Sequence, residues 1–291
     1  MRSTRLGPFD GVSRLTLGGG GLGQVWGTSS EEEAVATVHA ALDAGINLLD
    51  TVPAGTAADT LEASLDASLK AMGLDHVDAY LLHSNICEAD AVYAHGNDHR
   101  DAFATAWSQY VEEVIPAFED LQRRGRIRTW GITGIGMPAT IIKALRHETR
   151  PGVVQAIANL LDSAGGIRRF AEPARPRDVI ATATANGVGV MGIRAVQAGA
   201  LTANFDREVK PSDPDGADYE RSAPYRELCA ELGVDPALLA HRYALDLDGV
   251  DTVVLGVKNR AELAQCLEAE ALGPLPPDLR ARIDGLGLAG A

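Results

Sequence analysis

The chain has 291 residues, with 26 Lys and Arg against 40 Asp and Glu, a formal net charge of −14. That balance excludes proteins that hold nucleic acid or an anionic membrane through a basic face, and no run approaches the roughly 20 consecutive apolar residues of a membrane span. With 46% hydrophobic residues the chain can bury a large core, and its length suits a single α/β barrel of roughly 250 residues as well as two smaller domains.

The opening residues MRSTRLGPFDG hold no apolar secretory core, which points to the cytoplasm. Strands are expected at 14–18, 46–50, 76–82, 127–133, 152–157, 188–193 and 251–256, each a short aliphatic or β-branched run. Between them lie amphipathic stretches, the alternation of βα units and a parallel sheet. Ser30 and Glu33 have capping-box spacing before Ala34, Val38 and Ala41, and Gly45 stands where a left-handed residue ends a helix. Leu61, Leu65, Leu69 and Met72 form the next stripe, ended by Gly73, and Trp107 to Leu121 a third, ended by Gly125. Asp235 before Pro236 reads as a helix start. These stripes are core packing and carry no chemistry. Two polar stretches, 84–105 and 202–219, are expected as long loops at the C-terminal face of the strands, where barrels place their sites. No stretch reads as a linker, so residues 1–291 are expected to form one domain.

Gly18, Gly20 and Gly23 have G-x-G-x-x-G spacing, but QVWGTS intervenes before the next helix, so a dinucleotide-binding turn is rejected in favour of a flexible loop. Cys87, Cys229 and Cys266 are odd in number and far apart, neither a disulfide framework nor a zinc knuckle. Cys87, Asp90, His95, Asp98 and His99 crowd one loop, but their spacing fits no ligand signature, and a polar lid without metal is the preferred reading.

The ordered series LGGGGLGQVWG, EEEAVATVHAALDAGINLLDT, DHVDAYLLHS, RTWGITG, VVQAIANLLDS, GVGVMGIRAVQAGALT and DTVVLGVKNRAELAQCLEAE resembles the aldo-keto reductase superfamily over nearly the whole chain. The resemblance implies a TIM-like (β/α) barrel that binds NADPH in extended form and reduces a small aldehyde or ketone with an Asp, Tyr, Lys and His tetrad. Asp50 and His83 match the family's Asp and His. Gly55 stands where the tyrosine is expected, and the 25 residues between Asp50 and the HVDAYLL strand have no room for a helix and a strand besides the Leu61–Met72 stripe. The barrel is therefore expected to be incomplete, lacking the family's second helix and third strand, whose end carries the lysine. Lys70 lies within a helix and is no substitute. Tyr93 is a candidate replacement acid.

For the cofactor, the resemblance implies Gly256, Lys258, Asn259, Arg260, Glu262 and Gln265 at the adenosine phosphate, with Cys266 where an asparagine often stands near adenine. It implies Gln155, Asn159 and Thr133 at the nicotinamide amide, with Thr133–Gly134 replacing a Ser-Asn pair and Arg194 replacing a stacking aromatic. Whether NADPH binding is retained stays open. So does the activity: a crippled reductase, a non-redox acid/base enzyme using Asp50 and His83, and an inactive cofactor-binding protein are the alternatives. Exposed barrel edges leave room for a homo-oligomer.

Overall fold

In the computed structural model, residues 1–25, 27–50, 58–91, 104–205, 207–209 and 213–290 are described. An antiparallel hairpin, β1 (Ser3–Leu6) and β2 (Phe9–Ser13), precedes the alternating units. There follow β3 (Leu15–Gly18), α1 (Gly19–Leu22), α2 (Glu31–Asp43), β4 (Leu49–Asp50), α3 (Ala58–Met72) and β5 (Val77–Leu82). β6 (Asn85–Cys87) and β7 (Ala104–Ala106) pair in parallel with each other. The next helix runs as Trp107–Gln109, a π-turn over Tyr110–Val114, and α4 (Ile115–Arg123). Then come β8 (Ile127–Thr133), α5 (Pro138–Leu145), β9 (Val153–Ile157), α6 (Pro176–Ala185) and β10 (Gly189–Ile193). The chain ends with α7 (Pro214–Arg221), α8 (Ala223–Leu232), α9 (Pro236–Leu245), β11 (Thr252–Leu255), α10 (Arg260–Ala271) and α11 (Pro277–Asp284).

Seven of the described strands form one parallel sheet in the order β4-β3-β11-β10-β9-β8-β5. A closed βα barrel would join the two ends of this order. Here β4 and β5 are consecutive among the strands of this sheet, yet they stand at its opposite edges. The sheet is thus a curled, open half-barrel, and among the described residues its opening falls between Asp50 and the strand leading to His83. The strand order excludes the doubly wound sheet of a dinucleotide fold.

Local chemistry explains where the elements begin and end. Ser30 Oγ accepts from Glu33 N at 3.1 Å, but the reciprocal half of the capping box is not made, because the Glu33 carboxylate is taken by Arg260. Asp235 Oδ1 accepts from Leu238 N at 3.1 Å at the start of α9. The expected strand 46–50 narrows to two residues: Ile46 N donates to Ala41 O of the helix end, and Asn47 Oδ1 accepts from Ser13 N of β2. Pro116 has no N–H for the carbonyl one turn before it, and the helix accommodates the loss as a π-turn. The stretch 84–105 is not wholly a loop, since its ends pair as β6 and β7 with Ile86 and Cys87 buried. The second half of 202–219 is helical, α7 being capped by Asp213, whose carboxylate accepts from Asp215 N.

The core lies mainly between the sheet and the outer helices. Phe118 of α4 stacks on Trp130 of β8 at 5.3 Å and meets Tyr80 of β5 edge-on at 5.7 Å. Leu6 and Val12 of the hairpin pack on Val153 and Met191 and close the floor of the barrel. The glycine run is a compact turn: Gly21 is buried, and a Cβ there would stand 2.2 Å from the Val257 carbonyl oxygen.

Candidate functional site

Parallel strands bring their C-terminal ends to one face, and this mouth collects most of the residues singled out in the sequence. Asp50 ends β4 and His83 follows β5, so the two belong to the opposite edge strands of the sheet and not to paired neighbours. Asp50 is half-buried, and its Oδ2 accepts from Gln155 Nε2 of β9 at 3.1 Å. Burial raises the Asp50 pKa above the ordinary carboxylate range, and the Gln155 bond partly offsets this. His83 is exposed at the mouth, has no hydrogen-bond partner among the described residues, and is held below the ordinary imidazole value by partial desolvation.

No described tyrosine or lysine is bonded to Asp50. Tyr80 donates to Leu61 O, Tyr225 to Pro236 O, and Tyr243 meets Asp284, while the Tyr110 hydroxyl is buried without a hydrogen-bond partner among the described residues. Lys143 pairs with Glu88, Lys258 with Glu262, and Lys70 is exposed on α3. Gly55 and Tyr93 lie outside the described residues, as do His95, Asp98 and His99. Of the remaining members of that loop cluster, Cys87 is buried against Phe170 and Asp90 is exposed.

At the ends of β8 and β9 the polar groups are tightly engaged. Thr133 is buried, and its hydroxyl lies 3.2 Å from both Leu82 O and Ser84 O, tying β8 to the end of β5. Gly134 N donates to Gln155 O at 2.6 Å, and a Cβ at 134 would stand 2.6 Å from that same oxygen. The strands approach so closely that a larger residue has no place there. Gly134→Ala is expected to cost about 1–3 kcal/mol of stability by forcing the strand ends apart, read as a lowered urea midpoint.

Asn159 is fully buried. Its Nδ2 donates to Gln197 Oε1 at 3.0 Å and to the Ser163 and Arg194 carbonyls at 3.2 Å, and its Oδ1 accepts from Leu161 N at 3.1 Å. The residues beyond it form a network that the sequence reading missed. Arg194 donates to Gln197 Oε1 at 2.9 Å and to Asp215 Oδ1 at 2.6 Å; Gln197 Nε2 and Ser163 Oγ each meet Asp218 Oδ2 at 2.6 Å. Asp162, Arg194, Gln197 and Ala198 all have positive φ, between 47° and 59°, a strained conformation for residues with side chains. Arg194, expected where a ring-stacking residue stands, is thus an anchor for the β10 loop on α7. The one sequence signal for this network was the aspartate-rich stretch that becomes α7.

The last segment opens α10. Asn259 is its N-cap, accepting from Glu262 N at 2.9 Å. Lys258 Nζ lies 3.3 Å from Glu262 Oε1, and Arg260 bonds both Glu33 carboxylate oxygens, at 3.1 and 2.9 Å, which lowers the Glu33 pKa. Gly256 is exposed beside β11, and Gln265 is half-buried on α10. Cys266 does not face the mouth. It is buried, its Sγ 3.5 Å from His241 Nε2, and burial pushes its thiol up to about 12. His241, whose Nδ1 lies 2.8 Å from Ala237 O, is held neutral by burial and has a lowered pKa. An unfolded imidazole titrates near pH 6.5, so the full contribution of His241 to stability is present above that pH. As pH falls below it the unfolded chain takes up the proton first, and stability drops until the folded value is reached. His241→Leu is therefore expected to shrink the difference in urea midpoint between pH 7.5 and 5.5.

Among the described residues no helix is long and apolar enough to cross a membrane. The chain is 26% identical over 303 residues to L-galactose dehydrogenase of Arabidopsis thaliana, covering 90% of this chain and 86% of that protein. Among solved structures it superposes on an aldo-keto reductase from Bacillus halodurans in its holo form, with TM-score 0.71 and 20% identity over 98% of this chain and 96% of that one. It also superposes on a glycerol dehydrogenase from Gluconobacter oxydans, with TM-score 0.67 and 17% identity over 98% and 94%. The profile of the aldo/keto reductase family matches residues 14–54 and 52–287, two segments that meet just after Asp50, and the chain belongs to that family.

Proposed function

We propose that this protein is an NADPH-linked oxidoreductase of small aldehydes or ketones whose turnover is severely slowed by the loss of its tyrosine and lysine. The observation that carries this reading is the pairing of Asp50 with a neutral amide, Gln155, instead of a cation, on a barrel open where the lysine strand belongs.

The residues at both ends of the mouth fit the cofactor. Lys258 and Arg260 stand at the N-terminus of α10, a position that favours a phosphate, and a bound phosphate would exchange for their partly exposed ion pairs with Glu262 and Glu33. Gln155 uses one N–H on Asp50 and keeps its Oε1 for an amide donor. When bound, the cofactor supplies the hydride for the carbonyl carbon. Asn159 acts on the same end by fixing the backbone around Arg194, and Thr133 by holding β8 to β5. His83, uncharged and exposed, orients the carbonyl oxygen by hydrogen bonding.

Titration with NADPH, followed by its fluorescence, tests the reading. Saturable binding, weakened at least tenfold by Lys258→Ala with Arg260→Ala, and slow NADPH-dependent turnover lost in His83→Ala support it. No binding would sink it.

A second reading rests on the opposed shifts of Asp50 and His83, upward and downward, which bring an acid and a base toward each other on either bank of the opening. In that case the pair performs isomerisation or dehydration. Substrate turnover without NADPH consumption distinguishes it.

A further inference from the structure

We propose that Asp50 itself serves as the proton donor to the carbonyl oxygen, taking over the task of the absent phenol. This rests on the reductase reading above. Three observations carry it. The carboxyl is tethered by a single bond, from Gln155 Nε2 to Oδ2 at 3.1 Å, and Oδ1 has no hydrogen-bond partner among the described residues. The tether is the residue proposed to hold the nicotinamide amide, so the carboxyl stands beside the place where the hydride is delivered. And the partner is neutral.

A lysine at that position would lock the carboxyl in its ionised form; an amide hydrogen-bonds either form and leaves burial to favour the protonated one. Burial and the Gln155 amide are the influences acting on the group among the described residues, and no charged side chain of β3, β9 or any other described element opposes them.

The step balances as follows. The carbonyl carbon accepts a hydride from the reduced nicotinamide, its π pair moves onto oxygen, and that oxygen takes the proton from Asp50 as the carboxyl O–H bond breaks. The carbonyl compound is reduced to an alcohol, the cofactor is oxidised, and Asp50 is left as a carboxylate that recovers its proton from water. His83 is the competing donor, but it is held neutral by desolvation and lies on the far bank.

Two measurements on the full chain test this. The first follows Asp50 in the cofactor-free protein by carbon NMR of labelled aspartate, comparing wild type with Asp50→Asn to assign the signal. The second compares NADPH-dependent turnover and NADPH binding in wild type, Asp50→Asn and Asp50→Glu. The expected results are an Asp50 midpoint above the ordinary carboxylate value and wild-type kcat/KM that falls as pH rises through that midpoint. Asp50→Asn, which preserves the acceptor for Gln155, should lose turnover about 10²- to 10⁴-fold with NADPH binding retained. Partial recovery in Asp50→Glu is also expected. A midpoint at or below the ordinary value, or Asp50→Asn turnover equal to wild type with NADPH still bound, overturns the proposal and leaves the reductase reading standing. Failure of wild type to bind NADPH overturns both.

Discussion

Arg194→Met is expected to destabilise the protein by about 3–5 kcal/mol, the scale for removing one partner of a buried ion pair. The Arg194 side chain is 10% exposed and that of Asp215 12%, and the two lie 2.6 Å apart. Methionine replaces the stem of the arginine but leaves the Asp215 carboxylate in a poorly solvated place. Arg207 at 3.5 Å and the Gly166 amide at 3.0 Å compensate only in part. The loss extends beyond one pair, because Arg194 also donates to Gln197, which holds both Asn159 and Asp218. Arg194, Gln197 and Ala198 have positive φ within this loop, and any relief of that strain in the variant would offset a small part of the loss. Urea unfolding of Arg194→Met against wild type measures the loss. The double variant Arg194→Met with Asp215→Leu, which removes the orphaned charge, should recover a good part of it; no recovery would mean that the pair's bonds, not the stranded carboxylate, set the cost.

The second large effect is a gain. Inserting a family-type helix and strand after Asp50, with its tyrosine and lysine, is expected to raise NADPH-dependent turnover about 10²- to 10⁴-fold, the usual contribution of a general acid. The opening has the hydrogen-bonding edges to receive a strand, since among the described strands β4 and β5 each have a neighbour on one side only. Exposed apolar side chains also stand on or beside the elements that lead to those two edges. Val35 and Leu42, seven residues apart on α2, together with Leu49, Met72 and Leu74 near the two edges, are large hydrophobics left exposed. Thermal unfolding should shift upward as they are covered. The restored lysine also ionises Asp50, so the carbon NMR midpoint of Asp50 should fall below its value in the natural chain. Unchanged turnover in a stabilised variant would place the defect outside the missing unit.

Much of the scaffold was legible because its signals are local. A run such as IRTWGIT or GVVQAI is too short and too β-branched for a helix, and seven such runs separated by capped amphipathic stretches leave little but a parallel α/β sheet. The N-terminal hairpin escaped notice because β1 and β2 have four and five residues and no clean alternation. Pairing of β6 with β7 escaped because it joins residues 19 apart across a polar stretch.

The sequence by itself determined the order of the βα units, the family and the absence of room for one unit, since chain length between two strands is a covalent constraint that no packing can alter. Tertiary structure alone decided what the polar residues at the mouth do. Gln155 and Asp50 are 105 positions apart, Arg194 lies in the loop after β10 and Asp215 on α7, and Gly134 is required only because two strand ends close to van der Waals contact there. Hydrogen bonds and burial depend on distance in space, which residue identity and spacing along the chain do not carry.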